Sequence, residues 1–459
     1  MMIAHDYQEE AIQQILEDKK TLVKASLGSG KTLIAVEVMR RAKTGVNLVV
    51  APISTFTGWA KTFRKQGLGD AHVLDNKKAG KTAFLDLAQG KPGNYLISYQ
   101  KMLRLHWKEF DIDCLVVDEI HSAQNRKSST YQMLRTIDAE YAIGLSGTPF
   151  ANKPEGAYAV GRVLWHSQWG NSFWKWCTEY LKPEFNAYTK YAYGAETEPG
   201  RILRDMPSVV QINREFTGEV VVHPVEVTLT PKQRKIYKEL QEDSIAFLEE
   251  NPLIADLPST KYLRLMETTL AEPTVHYTID EETFEQKAVV SFAENAKSAK
   301  LDAVEELLKD LWAEKPVPVI LYTGSRKFAE FATKRLNKKG YPAQSYVGGL
   351  TPEERQEREE GFGTNFHVLV ATIQSIGTGT DWLAGKCAVE MWLSLSDNSI
   401  QNQQCRGRLA RQGQERTVNR FIIRALDTIE SSKQHPRLEG IEKMMQETYS
   451  GVDTEPASV

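Results

Sequence analysis

Residues 25–32, Ala25-Ser26-Leu27-Gly28-Ser29-Gly30-Lys31-Thr32, constrain the fold more than any other stretch of this chain. They match the phosphate-binding loop pattern, which needs a β-strand before it and a helix after it. Both flanks are legible. Thr21–Lys24 reads as a short strand, and Thr32–Lys43 carries Leu33, Ile34, Val36, Val38 and Met39 at helical spacing. Gly28 and Gly30 let backbone amides close around phosphates. The Lys31 ammonium is placed to reach β- and γ-phosphate oxygens, and the Thr32 hydroxyl to ligate magnesium. The competing reading is a chance match in a Gly-containing turn, and the flanking strand and helix weigh against it.

A second string, Val117-Asp118-Glu119-Ile120-His121, closes the apolar run Cys114–Val117 with two adjacent carboxylates. Ligands of open α/β sheets bind at the carboxyl ends of strands. There, one carboxylate can hold magnesium while its neighbour orients and deprotonates an attacking water. Asp-Glu after a strand also opens many ordinary loops, and gains weight here from the phosphate loop. Gly144-Leu145-Ser146-Gly147-Thr148-Pro149 sets hydroxyls around a Gly at another strand end, which suits either a relay to a bound strand or a plain turn. In Gln404-Cys405-Arg406-Gly407-Arg408-Leu409-Ala410-Arg411-Gln412-Gly413-Gln414, the spacing of Arg408 and Arg411 predicts that they share one helix face. Guanidinium groups suit a transferring phosphoryl group. A solvated basic helix, or a nucleic-acid patch with Arg416, Arg420 and Arg424, is the alternative.

A length of 459 residues predicts two or three domains. Thr21–Lys24, Leu48–Ala51, Tyr95–Ser98, Cys114–Val117 and Ala142–Ser146 read as one set of strands alternating with helices. Val319–Tyr322, Val368–Ala371, Val389–Leu393 and Arg420–Ile423 read as a second set, with Phe328–Leu336 as an amphipathic helix among them. Such alternation implies two α/β lobes, each a parallel sheet covered on both faces. Between them, roughly 151–295 lacks the rhythm and predicts two helical insertions. The first holds Trp165, Trp169, Phe173, Trp174, Trp176, Tyr180 and Phe185, either packed together or exposed for base stacking. The second starts at Thr230-Pro231 and runs through Lys235–Glu249. Residues 272–290 read as a loop and those after about 446 as a frayed tail.

The formal charge of −3 gives no global sign of a nucleic-acid partner, so any such binding must rest on local basic surface. Cys114, Cys177, Cys387 and Cys405 are scattered, which indicates neither a zinc site nor a disulfide framework. The first ten residues hold no signal-peptide core and no apolar run reaches spanning length. The expectation is a cytoplasmic chain with no membrane partner, of a bacterial cell or a phage-infected host.

Taken in order, the motifs resemble the superfamily 2 helicase set, and more narrowly the Swi/Snf-type double-stranded DNA translocases, over roughly residues 5–430. Further markers are Tyr7-Gln8; Ala51-Pro52 with Trp59; Ser146–Pro149 with Asn152 and Glu155; Trp169-Gly170 with Phe173; Leu229–Gln233 with Tyr237; and Ser298–Leu301. The fifth motif, Ala371–Asp381 through Thr372, Gly377 and Gly379, is about one residue longer than the family pattern, and the Arg pair before the second insertion is reduced to Arg201 and Arg204. The resemblance implies two RecA-like lobes in tandem. Lobe 1 spans 1–210 with a protrusion near 155–210, a linker and second protrusion span 211–295, lobe 2 spans 296–445, and a tail follows at 446–459. It implies ATP and Mg2+ as cofactors. Gln8, Gly28, Ser29, Gly30, Lys31 and Thr32 would hold the nucleotide, and Thr32 with Asp118 the metal. Glu119, Arg408, Arg411 and Gln404 would be catalytic. The implied partner is duplex DNA, in repair, replication or recombination, beside a nuclease or replication factor, and Ser54, Tyr99, Ser325 and Thr372 are candidate strand contacts. No histone-reading, zinc-finger or nuclease segment is legible, so a bare motor is expected. A strand-separating DNA or RNA helicase shares every hydrolytic residue and is the alternative; a remodelling scaffold that only switches affinity for a protein has no need of Lys31, Glu119 and Arg411 together.

Overall fold

The computed structural model describes residues 2–450 apart from 27, 151–152, 187–188, 214–215, 217, 249–250, 256, 280–285, 377–379, 381 and 412. Leu27, Asn152, Gly377, Gly379, Asp381 and Gln412 of the motifs above therefore lie outside the described residues. The chain divides into two units, residues 1–215 with 441–459, and residues 216–440.

In the first unit the strands are β1 (Lys20–Ala25), β2 (Val46–Val50), β3 (Ala71–Val73), β4 (Gly93–Ile97), β5 (Ile112–Asp118) and β6 (Ala139–Ser146). An antiparallel hairpin, β7 (Leu181–Asn186) and β8 (Thr189–Glu196), precedes the last strand, β9 (Val209–Ile212). Seven of these form one sheet in the order β3-β4-β2-β5-β6-β1-β9, and every pairing in it is parallel. Side chains alternate across it as a pleated strand requires. Val23, Val49 and Val116 point to the core under α1 (Asp6–Asp18), α2 (Lys31–Ala42) and α3 (Phe56–Lys65), while Leu22, Leu48 and Leu115 point to the opposite core.

The predicted first insertion carries the helices Gly156–Trp165 and Phe173–Tyr180 together with the β7–β8 hairpin. Its aromatic cluster divides. Trp165, Trp169, Trp176 and Tyr180 are buried in the core, whereas Trp174 is 53% exposed beside Arg126, whose guanidinium lies 5.7 Å from its ring centroid.

The second unit contains β10 (Val220–Val227), the hairpins β11 (Ile245–Phe247)–β12 (Pro252–Ile254) and β13 (Thr274–Ile279)–β14 (Gln286–Ser291), and then β15 (Val319–Thr323), β16 (Ala343–Tyr346), β17 (Val368–Thr372), β18 (Val389–Trp392) and β19 (Val418–Ala425). Its six-stranded parallel sheet runs β10-β19-β18-β15-β17-β16. The helix after Thr230 begins as predicted, with a Thr230–Gln233 capping box and Pro231 in its first turn, but ends at Asp243 where Ser244 turns left-handed.

Three expectations are corrected. The stretch 211–295 is not a linker with a helical insertion alone, because β10 pairs along its length with β19 and joins the second sheet. Residues 272–290, expected as a loop, form the β13–β14 hairpin around the residues not described. The expected frayed tail is helical as far as Ser450, where Met445 and Thr448 are buried and Tyr449 packs against the first unit's core. That helix has an anchor in sequence only as a few apolar residues, Ile441, Met444, Met445 and Tyr449. Among the described residues no helix is long and apolar enough to cross a membrane.

Candidate active site

All strands of the first sheet run the same way, so their carboxyl ends share one edge. Register puts Lys24 beside Ser146, and Asp118 beside Leu145. The phosphate loop, the acidic pair and the Ser146 motif therefore leave the sheet together, as the ligand-binding edge of an open α/β fold requires.

Gly28 and Gly30 both adopt left-handed backbone, at φ 83° and 81°, and Gly30 caps α2, which starts at Lys31. A Cβ on Gly30 would sit 2.2 Å from Gln8 Nε2. Glycine is what admits that amide, which donates to the Ser29 carbonyl at 3.0 Å, with the Tyr7 hydroxyl donating to the same oxygen at 3.3 Å. Gln8 is buried and also caps α1 by accepting from the His5 amide at 2.9 Å. In this arrangement Gln8 braces the phosphate loop. Ser29 Oγ donates to the Ser26 carbonyl at 2.8 Å, and Lys31 Nζ donates to the carbonyls of Ala25 at 2.9 Å and Ser26 at 3.3 Å. Thr32 lies in the first turn of α2.

Asp118 is buried at the end of β5, where its Oδ2 accepts from Trp59 Nε1 at 3.0 Å. Burial, reinforced by the neighbouring Glu119, pushes its carboxyl up to about 6. Glu119 takes a left-handed conformation, φ 56° and ψ 52°, uncommon for a residue with a Cβ. Its carboxylate lies 3.2 Å from His121 Nδ1, which also lies 3.1 Å from Ser146 Oγ; that hydroxyl in turn accepts from the Thr148 amide at 3.1 Å. The second and third motifs are thus joined through one imidazole.

Among the described residues no group of three His, Cys, Asp or Glu side chains could hold a metal ion. The donor set at this edge, one carboxylate from Asp118 and one hydroxyl from Thr32, fits a hard cation that is held mainly by phosphates, as Mg2+ usually is. A cation there would also keep Asp118 ionised against its burial.

In the second unit the helix Ser399–Leu409 holds Gln404 and Arg408 one turn apart, with Arg408 buried. Arg411 does not share that helix face, contrary to the expectation. The helix stops at Leu409, and Gln414 Nε2 draws the following chain aside by donating to the carbonyls of Ala384 at 2.8 Å and Cys387 at 2.7 Å. Of the candidate strand contacts, Ser54 is exposed. Ser325 caps the helix Arg326–Lys338, and the Thr372 hydroxyl donates to Ser375 Oγ at 2.7 Å. The Tyr99 hydroxyl donates to the backbone carbonyls of Asp118 and Glu119. Sequence reasoning missed two residues that matter here. Trp59 carries no role in the sequence beyond marking the family resemblance, and its indole meets Asp118. Glu430 was not singled out, and it pairs with Lys300 at 2.6 Å with both side chains fully buried. Neither partnership leaves a trace in spacing, because each joins residues distant in sequence.

Comparison with known proteins matches residues 7–272 to the SNF2-related domain and residues 299–413 to the helicase conserved C-terminal domain. The chain is similar to the uncharacterized ATP-dependent helicase YqhH of Bacillus subtilis (strain 168), 23% identical over 445 residues that cover 92% of this chain and 76% of that protein. It is similar to chromodomain-helicase-DNA-binding protein 6 of Rattus norvegicus, 24% identical over 285 residues, 55% of this chain and 10% of that protein. The chain thus matches only 10–16% of the length of the chromodomain-helicase relatives. A solved structure, the Sulfolobus solfataricus SWI2/SNF2 ATPase core in complex with dsDNA, is 16% identical, covers 97% of both chains and has a TM-score of 0.42.

Proposed function

Because the chain belongs to the SNF2-related domain family, with a helicase conserved C-terminal domain following it, we propose that it is a DNA-dependent ATPase that couples ATP hydrolysis to movement along duplex DNA. One observation carries the hydrolytic part. The phosphate loop and the Asp118–Glu119 pair emerge from parallel strands at the same sheet edge, with Lys31 and Thr32 in the first turn of α2, Asp118 ending β5 and Glu119 following it. Backbone amides from Gly28 to Thr32 bind the phosphates, and Lys31 exchanges its own loop carbonyls for β- and γ-oxygens. Thr32 and Asp118 would hold Mg2+, which supplies charge neutralisation at the phosphates when bound. Glu119 orients water and takes its proton, and His121 fixes the rotamer of Glu119. Arg408, Arg411 and Gln404 serve the developing phosphoryl charge by the family's pattern.

The test is steady-state ATP hydrolysis at one low salt concentration with no polynucleotide, blunt duplex DNA, single-stranded DNA and RNA. The expected outcome is strong stimulation by duplex, with Glu119→Gln retaining nucleotide binding and losing about 10²-fold or more in turnover. Stimulation chiefly by single strands or RNA would favour the strand-separating helicase instead. A Glu119→Gln variant that hydrolyses normally would place the water-activating group elsewhere.

A further inference from the structure

The acidic pair is fastened by two aromatic side chains that come from outside the phosphate loop. In the sheet order β4-β2-β5, the segment after β2 lies next to the end of β5, and the segment after β4 must reach across β2 to meet it. Both do. From the first, Trp59 is buried in α3 beside Phe63 and gives its indole N–H to Asp118 Oδ2 at 3.0 Å. From the second, Tyr99 opens the helix Tyr99–Met102, capped by Ser98, and its hydroxyl donates to the carbonyls of Asp118 and Glu119, the latter at 3.2 Å. The two side chains act on different parts of the pair. Trp59 fixes the plane of the Asp118 carboxylate, whereas Tyr99 pins the peptide units on either side of a Glu119 held in left-handed backbone. Each aromatic is tied by its chain to an exposed surface at the same edge. Ile53, 66% exposed, and the exposed Ser54 precede α3, and the exposed Gln100 follows Tyr99.

We propose that Trp59 and Tyr99 are positioning residues that couple these two edge loops to the hydrolytic carboxylates, so that a polynucleotide held by the loops sets the orientation of Asp118 and Glu119. The inference rests on the reading of the chain as a polynucleotide-stimulated ATPase. It gives the stimulation a physical route, because a shift of either loop moves a hydrogen-bond donor on the acidic pair. Trp59 acts through the metal-side carboxylate and Tyr99 through the backbone that aims the water-activating one.

Trp59→Phe and Tyr99→Phe each remove one donor and keep a ring in place. Four quantities separate positioning from packing: the ratio of turnover with and without saturating duplex, the duplex concentration for half-stimulation, the Mg2+ concentration for half-maximal binding of a fluorescent ATP analogue, and Tm. Trp59→Phe is expected to raise the Mg2+ requirement roughly tenfold, the order of a lost hydrogen bond to a charged group, and to lower the stimulation ratio. Tyr99→Phe is expected to lower the ratio about tenfold with the Mg2+ requirement unmoved, since its hydroxyl donates to the backbone carbonyls of the pair and not to the Asp118 carboxylate. In both, half-stimulation by duplex stays within about twofold of wild type, because the loss falls on kcat rather than on binding. Variants that keep the wild-type ratio and Mg2+ requirement while Tm falls overturn the proposal, and so does a loss that follows weakened duplex binding. Should Trp59→Phe not fold, Tyr99→Phe alone decides between these outcomes. A wild-type enzyme that no polynucleotide stimulates refutes the parent reading instead, and the Mg2+ arm then judges Trp59 separately.

Discussion

At Gly30 a single methyl group would decide the fate of the nucleotide site. Its backbone is left-handed and a Cβ there would overlap the Gln8 amide, so Gly30→Ala must both strain the loop and expel its brace. Nucleotide affinity measured by fluorescence titration should fall by about 10²-fold or more, while far-UV circular dichroism stays that of the wild type. Glu196 makes a different prediction. It ends β8, 4% exposed, and burial pushes its carboxyl up to about 7 despite the amides of Gly200, Arg201 and Ile202 and the charge of Arg204. The fold therefore favours the protonated form. The cost of ionising Glu196 is fully present above about pH 7 and is relieved as pH falls towards the ordinary carboxylate range, so stability decreases as pH rises through that window. Glu196→Gln should stabilise the protein by about 2 kcal/mol at pH 8 and by little at pH 5, read from denaturant midpoints. Motif residues such as Lys31 were legible because phosphate chemistry dictates their types and spacing. The brace by Gln8 was not, since nothing in Tyr7-Gln8 indicates which carbonyl the amide will meet.

Elements tell the same story in terms of pattern strength. The runs within β1, β2, β5 and β15 are buried throughout or nearly so, and such runs announce themselves. β3 has only three residues, one of them His72, and β10 contains His223-Pro224, which argues against a strand on composition. Its place at the edge of the second sheet explains the proline, whose missing N–H costs nothing on an unpaired side. What secures the second unit from within is the ion pair between Lys300, near the start of the helix Ala299–Leu311, and Glu430. Lys300 also donates to the Leu393 carbonyl, and Glu430 accepts from the Ala425 amide, so the pair ties that helix to the ends of β18 and β19. Removing one partner strands the other charge in the core. Lys300→Ala should cost about 3–5 kcal/mol in chemical denaturation, whereas Lys300→Met with Glu430→Gln should recover much of that loss. A double variant as unstable as the single one would mean that the charged hydrogen bonds themselves, not the packing of the lysine stem that Met retains, hold the junction.

On the scale of the whole molecule, the two-lobe plan followed from two separated sets of alternating strands and helices, but the division between them did not. The second unit begins at Phe216, and the first is not finished until the chain returns at Ile441. Met445 is 3% exposed in the first unit's core, and the Tyr449 hydroxyl donates to the Phe150 carbonyl at 3.1 Å while Lys24 Nζ lies 4.8 Å from its ring centroid. A chain ending at Gly440 should therefore lose about 2–5 kcal/mol from its first unit, seen as a lower first transition in calorimetry. That closing helix also bears on how the protein is made. A ribosome adds about 5–20 residues per second, so the nascent first lobe waits for tens of seconds with its Phe150 surface uncovered while the whole second unit is translated. Biogenesis, rather than turnover, is where this stretch of chain would be felt first: the partly built lobe would present an apolar surface for a holdase to cover, and slow codons between residues 216 and 440 would lengthen its exposure.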